Sequence, residues 1–275
     1  MSNWLVDGVD LSAEFGLVRG TTWRPPVSAR NAVVEVPGRH GSVVSGRTSL
    51  EAPTVTLQLL TKAVGEDALG VLSGKLQSLL GRPAGVTLTR VQGTVSASAH
   101  ARLVSLSPVD VSWQSGVATW TAVLTVPGVT FRGTVVNSAS LAASSNTTLA
   151  LPTLAGSSAP IRDAILRLSG PATSFSWTCP TSGTGISWAG SLLAGYYLYV
   201  DVATLTAWRT TSASAWAGAG AEWQAETARL DYPSAGPLQL WPRVSGASTV
   251  VEVAIAGGGR TTATDLVVRA APTYL

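Results

Sequence analysis

The side chains best equipped for chemistry in this chain are few and poorly arranged for catalysis. His40 and His100 lie far apart, and neither falls in a metal-binding spacing such as His-Glu-x-x-His. The sequence contains no Gly-x-Ser-x-Gly elbow, phosphate-binding loop or dinucleotide fingerprint. His100 sits in the strand-like stretch Ser96-Ala97-Ser98-Ala99-His100-Ala101-Arg102, which suits a structural role. Cys179 alternates with Phe175 and Trp177, so it belongs to a buried face and not to a reactive site. Asp163, Asp201 and Asp231 can pair only if the fold brings them together. These residues point away from an enzyme, and no metal or cofactor is expected.

Tryptophan gives the stronger signal. The chain holds ten, and Trp208, Trp216 and Trp223 lie in or beside an Ala/Ser/Gly-rich segment that reads as a long loop in the second half. Flat aromatic faces stack on the C–H surfaces of sugars, anchor protein interfaces, or plug a loop against its own domain. All three roles stay open at this level. Tyr197, Tyr199 and Asp201 alternate along one strand, opposite Tyr196, Leu198 and Val200, and could extend such a surface. A second candidate contact is Arg39 with His40. Val33, Val34 and Val36 favour a strand, Pro37-Gly38 forces a turn that presents Arg39 and His40, and Gly41 lets a second strand resume through Val43 and Val44.

Composition sets the frame in which these residues must work. At 275 residues the chain can bury a substantial core, and two domains fit better than one. Charged residues make up 12% of the chain against 45% hydrophobic, with a mean hydropathy of +0.29. A chain so poor in charge must hide surface in an assembly or solvate itself through Ser, Thr and Gly. The net charge of +3 comes from basic residues scattered singly, so no nucleic-acid-tracking surface is expected. A single cysteine excludes an internal disulfide and fits folding in a reducing cytoplasm. With no apolar run of about 18 residues and no secretory h-region, neither export by a standard signal nor a membrane span is expected.

The elements that must position the candidates are mostly strands. Asp7-Gly8 reads as a tight hairpin turn, Arg19 to Val34 as a loop, and Pro53 to Leu60 as a half-buried strand with Val55, Leu57 and Leu59 on one face. Glu66 to Leu80 is the one expected helix: Leu69, Leu72, Leu76, Leu79 and Leu80 form a stripe, Glu66 and Asp67 favour the N-terminus, and Gly81 with Pro83 closes it. Further strands are expected at 85–91, 95–106 and 117–131, with Trp120, Ala122, Leu124 and Val126 sharing a face. Residues 137–158, rich in Ser, Ala, Thr and Leu, read as a connector. Beyond it, short strands at 161–168, 174–179, 186–188, 196–202, 236–244, 249–256 and 265–269, separated by Gly, Ser and Pro, read as a β-sandwich or jelly roll.

Three features in order, Asn3-Trp4-Leu5-Val6-Asp7-Gly8-Val9-Asp10-Leu11, the Pro37-Gly38-Arg39-His40-Gly41 turn and the strand at Pro53 to Leu60, resemble the N-terminal domain of the distal tail (Dit) proteins of long-tailed bacteriophages. His40 stands where that pattern commonly has an acidic residue. Pro160-Ile161-Arg162-Asp163, Gly170-Pro171, and Leu193-Ala194-Gly195 before a strand ending in Val200-Asp201 resemble the galectin-like C-terminal domain of the same family.

The resemblance implies an all-β protein with one helix. Its parts would be a ring-forming, tail-tube-like β-sandwich or split barrel at 1–136, a linker at 137–158 and a galectin-like jelly-roll β-sandwich at 159–275. It implies a non-enzymatic virion protein at the tail tip, assembled in the host bacterial cytoplasm. The chain would form a ring, usually of six copies, with itself, the tail tube protein and the tail-associated hub (Tal) or other minor tail proteins as partners. Arg39 and His40 would be ring contacts. The alternative is a carbohydrate-binding protein acting through the C-terminal half, with a host surface glycan as partner and Tyr197, Tyr199, Asp201, Trp208, Trp216 and Trp223 as the surface.

Overall fold

The computed structural model describes residues 2–35, 42–112, 114–218 and 223–275, and the chain divides into a first unit, Met1–Arg132, and a second, Gly133–Tyr274. Both are built from antiparallel strands. The turn bearing Arg39 and His40 lies outside the described residues.

In the first unit, β1 (Ser2–Val6) and β2 (Val9–Asp10) form the expected hairpin, with Asp7 at φ 48° and Gly8 at φ 84°. A single turn of helix, α1 (Leu11–Glu14), follows, capped by the Asp10 side chain accepting from Ser12 N. Then come β3 (Gly16–Leu17), β4 (Ala29–Glu35), β5 (Ser42–Leu50), β6 (Thr54–Lys62), α2 (Glu66–Leu80), β7 (Val86–Gln92), β8 (Val95–Ser112), β9 (Val117–Thr125) and β10 (Phe131–Arg132). The sheet runs β2-β1-β7-β8-β9-β6-β3, while β4 and β5 form a separate two-stranded pair among the described residues.

Alternation explains the core. Val55, Leu57 and Leu59 of β6 face inward beside their register partners Leu124, Ala122 and Trp120 of β9. The expected helix forms over its predicted span and packs on β6, burying Leu69, Leu76, Leu79 and Leu80. At the other end of the sheet Trp4 stacks on Trp23 at 6.0 Å and meets Phe131 at 5.8 Å. Arg90, 6% exposed, lies 5.2 Å from the Phe131 ring and donates to Trp23 O at 3.0 Å. That bond docks the loop leading to β4, which starts earlier than the sequence suggested, at Ala29 rather than Val33.

Two other expectations change. β8 runs to Ser112, six residues past Leu106, because bulges near Val104 and Val109 let it stay paired with β9. β9 stops at Thr125, since Val126 to Val129 turn the chain and only Phe131 and Arg132 resume pairing, opposite Ser98.

The second unit begins where a connector was expected. Residues 137–158 hold β-structure: β11 (Val136–Asn137) and β12 (Leu141–Ala142) pair with one strand, and β13 (Thr147–Ala150) with another. Their partners lie more than a hundred residues later, which no local pattern could reveal. After these come β14 (Ile165–Ser169), β15 (Ala172–Thr178), β16 (Gly185–Leu192), β17 (Tyr197–Asp201), β18 (Thr206–Thr210), β19 (Gln224–Ala225), β20 (Leu230–Asp231), β21 (Arg243–Ser245), β22 (Ser248–Val250), β23 (Glu252–Gly258) and β24 (Asp265–Ala270).

One sheet runs β11-β24-β14-β17-β18-β19, with β12 beside β24; the other runs β13-β23-β15-β16-β20. The core between them takes Leu166, Leu168, Leu198, Val200, Leu266 and Val268 from the first sheet. Phe175, Trp177, Ile186, Trp188, Val253 and Ile255 come from the second, with Cys179 buried among them. Of the expected strand at 236–244 only Arg243 and Val244 lie in a strand, β21; Leu240 makes a single bridge to Ile161 and Gly236 closes a turn at φ 100°.

Glu226 ties the sheets at one edge. Its side chain is 3% exposed, accepts from Trp188 Nε1 of β16 at 3.2 Å, and pairs with Arg229 at 3.1 Å and Arg209 of β18 at 3.5 Å. Removing the carboxylate leaves Arg209 and the buried indole N–H short of a partner, so E226A is expected to cost about 3 kcal/mol in chemical denaturation. In the first unit, Gly70 and Gly74 are interior helix positions with open space where a Cβ would sit. G70A and G74A are therefore expected to stabilise the chain by about 0.5–1 kcal/mol each in the same measurement.

Candidate functional site

The aromatic candidates converge on the outer face of the sheet containing β17. Antiparallel register sets Val267, Arg167, Tyr199, Trp208 and Ala225 side by side across five strands. The adjacent row is Arg269, Ile165, Asp201 and Thr206. A strand's alternate residues must leave on this face, and Leu198 and Val200 leave on the other, into the core.

The segment after β18, Thr211 to Gly218, folds back over the first row. Three side chains of the sheet hold its backbone: Tyr199 Oη donates to Ser212 O at 2.9 Å, Arg167 Nη1 to Ala213 O at 2.5 Å, and Trp208 Nε1 to Ala215 O at 3.0 Å. Tyr199 and Trp208 stack with rings 5.4 Å apart and 3° from parallel, and Trp216 stands edge-on to Tyr199 at 5.3 Å and 83°. Arg167 and Arg269 each place a guanidinium by the Trp216 ring, at 5.4 and 5.5 Å. Arg167 also lies 5.4 Å from the Tyr197 ring. The loop is thereby fixed by ring contacts and hydrogen bonds to a rigid sheet.

This arrangement divides the six expected surface residues. Tyr199 and Trp208 are buried, at 0% and 5% exposure, and serve as the plug between loop and sheet. Trp208 belongs to β18 and not to the loop, a strand hidden in the sequence because Thr206 to Thr210 is short and flanked by turn residues. Tyr197 and Trp216 are half-buried beside Arg167. Asp201 is committed to its own turn, accepting from Ala203 N and Thr204 N at 2.9 and 3.3 Å. Trp223, 45% exposed, precedes β19 and lies outside the stack formed by Tyr199, Trp208 and Trp216.

Beside Trp216 opens a cleft of about 400 Å³ whose walls include Asp163, Ile165, Ser214 and Arg269. The sequence reading missed Arg167 and Arg269. Their signal was the alternation Ile165-Arg167-Ser169 and Val267-Arg269, which puts each arginine on one face. His100 and Cys179 take no part: Cys179 accepts from Trp241 N at 3.3 Å in the core. Among the described residues no three metal-ligating side chains come together, and no helix is long and apolar enough to cross a membrane.

A two-unit all-β chain, helix-bearing sheet first and sandwich second, is the class that these strands define. No family model and no curated protein matches the sequence. Among solved structures the chain matches the Dit protein of phage SPP1, described as a paradigm of hub adsorption apparatus in phages infecting Gram-positive bacteria, at 15% identity over 100% of both chains with a TM-score of 0.66. Two structures of the phage p2 baseplate in its activated conformation, with strontium and with calcium, match at 10% identity over 98% of both chains, with TM-scores of 0.39 and 0.40. The fold of this chain is the Dit fold from end to end.

Burial pushes the Tyr199 phenol up from its ordinary value, against the opposing charge of Arg167. A raised folded value means that its stabilising contribution is complete below the unfolded phenol value of about 10 and is lost as pH rises through the folded one. Ultraviolet titration is expected to show one tyrosine ionising after the others, and Y199F to remove that late step. The same substitution frees the Ser212 carbonyl, at a cost of about 1 kcal/mol.

Proposed function

We propose that this chain is a structural hub component of a long-tailed phage tail, a distal tail protein that closes into a ring of about six copies between tail tube and tail tip. The observation that supports it is the Dit fold shared over the full length of both chains. The function is assembly and mechanical coupling without catalysis. The first unit supplies the ring, with the tail tube protein and a tail-associated hub protein as axial neighbours. The second unit is a platform for host-recognition proteins, and the protein resides in the virion.

Surface chemistry of the first unit favours self-assembly. β7 covers one side of β8 only as far as Ala101, so Arg102 to Ser112 pair with β9 alone among the described residues. Val104 and Val109 stand 64% exposed on this stretch. A long edge with exposed valines is an association surface, which monomeric proteins shorten or load with charge.

Native mass spectrometry with negative-stain imaging is expected to show a closed ring of about six chains. V104D combined with V109D is expected to shift the population to monomer with an unchanged circular dichroism spectrum. A chain that stays monomeric and also fails to add to purified tail tubes would overturn the reading.

A further inference from the structure

We infer that Asp7-Gly8 is a latent site of spontaneous backbone isomerisation through a cyclic imide, and that Arg82 is the side chain that restrains it. Asp7-Gly8 is the one Asp-Gly pair in the sequence, and no Asn-Gly pair occurs. Glycine after aspartate leaves the next amide nitrogen unshielded, since no Cβ stands beside it. At Gly8 the space that a Cβ would take is open, and the turn is exposed.

The chemistry needs no partner but water. The Gly8 amide nitrogen bonds to Asp7 Cγ and gives up its proton, and the hydroxyl of the acid leaves as water, closing a succinimide ring. Hydrolysis returns the water at either carbonyl. Opening at one restores aspartate; opening at the other leaves isoaspartate, whose backbone runs through Cβ and Cγ and is one carbon longer. A two-residue turn cannot absorb that carbon. It would undo the Val6 to Val9 pairing of β1 with β2, displace the Asp10 cap of α1, and pull on Val6 and Leu11, both fully buried.

The fold opposes this reaction with two bonds to the Asp7 carboxylate. Its Oδ1 accepts from Thr87 N at 2.7 Å, and its Oδ2 from Arg82 Nη1 at 2.8 Å. The Asp7 amide also donates to Thr87 O at 2.9 Å. With both oxygens engaged, the side chain cannot swing onto Gly8 N without breaking a bond, and a carboxylate paired with a guanidinium offers no hydroxyl to leave. Thr87 contributes through the main chain, so Arg82 is the side-chain part of the lock. It reaches Asp7 from the connection between α2 and β7 and is 53% exposed, which makes it removable without opening a void.

The test incubates the full chain at neutral pH and reads isoaspartate by enzymatic methylation, with mass spectrometry of the peptide carrying Asp7. The wild-type chain is expected to accumulate it far more slowly than the linear peptide of residues 3–11. R82A and R82E are expected to accumulate it about tenfold faster than wild type, the rate equivalent of one charge-assisted hydrogen bond given up before the attack. Both are expected to keep the wild-type circular dichroism spectrum, and the rate is read in the variant that does. D7E combined with R82A keeps a carboxylate and is expected to show none, because glutamate must close a larger, slower ring. A wild-type rate equal to the peptide's, variant rates equal to the wild type's, or isoaspartate persisting in D7E with R82A would each overturn the assignment. None of these outcomes bears on ring formation, which the mass measurement reads separately.

Discussion

Burial of one face of every strand, Val55-Leu57-Leu59 in β6 and Leu198-Val200 in β17, is the constraint to which the rest of the chain responds. A strand that turns alternate residues inward must turn the others outward, and what covers the second face then sets the character of each region. With few charged residues to wet those outer faces, the chain covers them with other parts of itself or leaves them for neighbours. Helix α2 covers part of the first sheet. The segment from Thr211 to Gly218, with Trp216, covers part of the second unit's outer face. The distal half of β8, from Arg102 to Ser112, pairs with β9 on one side and with no other strand among the described residues.

The two buried or half-buried arginine clusters show how cations substitute for apolar bulk at such faces. Arg90 lies against Phe131 and fastens the Trp23 loop, and Arg167 bridges Tyr197 and Trp216 while holding Ala213. In both places a guanidinium lies over an aromatic ring and still donates to a loop carbonyl, which lysine's compact ammonium cannot do as well. Sixteen of the eighteen basic residues are arginine, Lys62 and Lys75 being the exceptions, so the composition already leans toward this kind of packing. Glu226 uses the same chemistry in the opposite sense, as one buried carboxylate shared by two arginines and an indole N–H.

Division of labour between the units follows from these coverings. The first unit keeps a long, bulged, valine-bearing edge suited to joining copies side by side. The second unit keeps a closed sandwich with an ordered aromatic loop on its back and an amphipathic cleft at the loop's rim.

Period-two alternation in β6 and β9, the three-and-four leucine spacing of α2, and the Asp7-Gly8 turn were all legible in the sequence, because each is decided by residues close along the chain. The all-β class followed from these together with the short strands, spaced by Gly, Ser and Pro, of the second half. Only the tertiary structure recruited 137–158 into both sheets, since β11, β12 and β13 are strands by virtue of β24 and β23, far downstream. It alone separated the buried Tyr199 and Trp208 from the half-exposed Trp216: alternation names a residue's face but not what folds over it. The cleft joins β14, β24 and a loop between β18 and β19, and side chains from elements so distant in sequence become neighbours only through strand register.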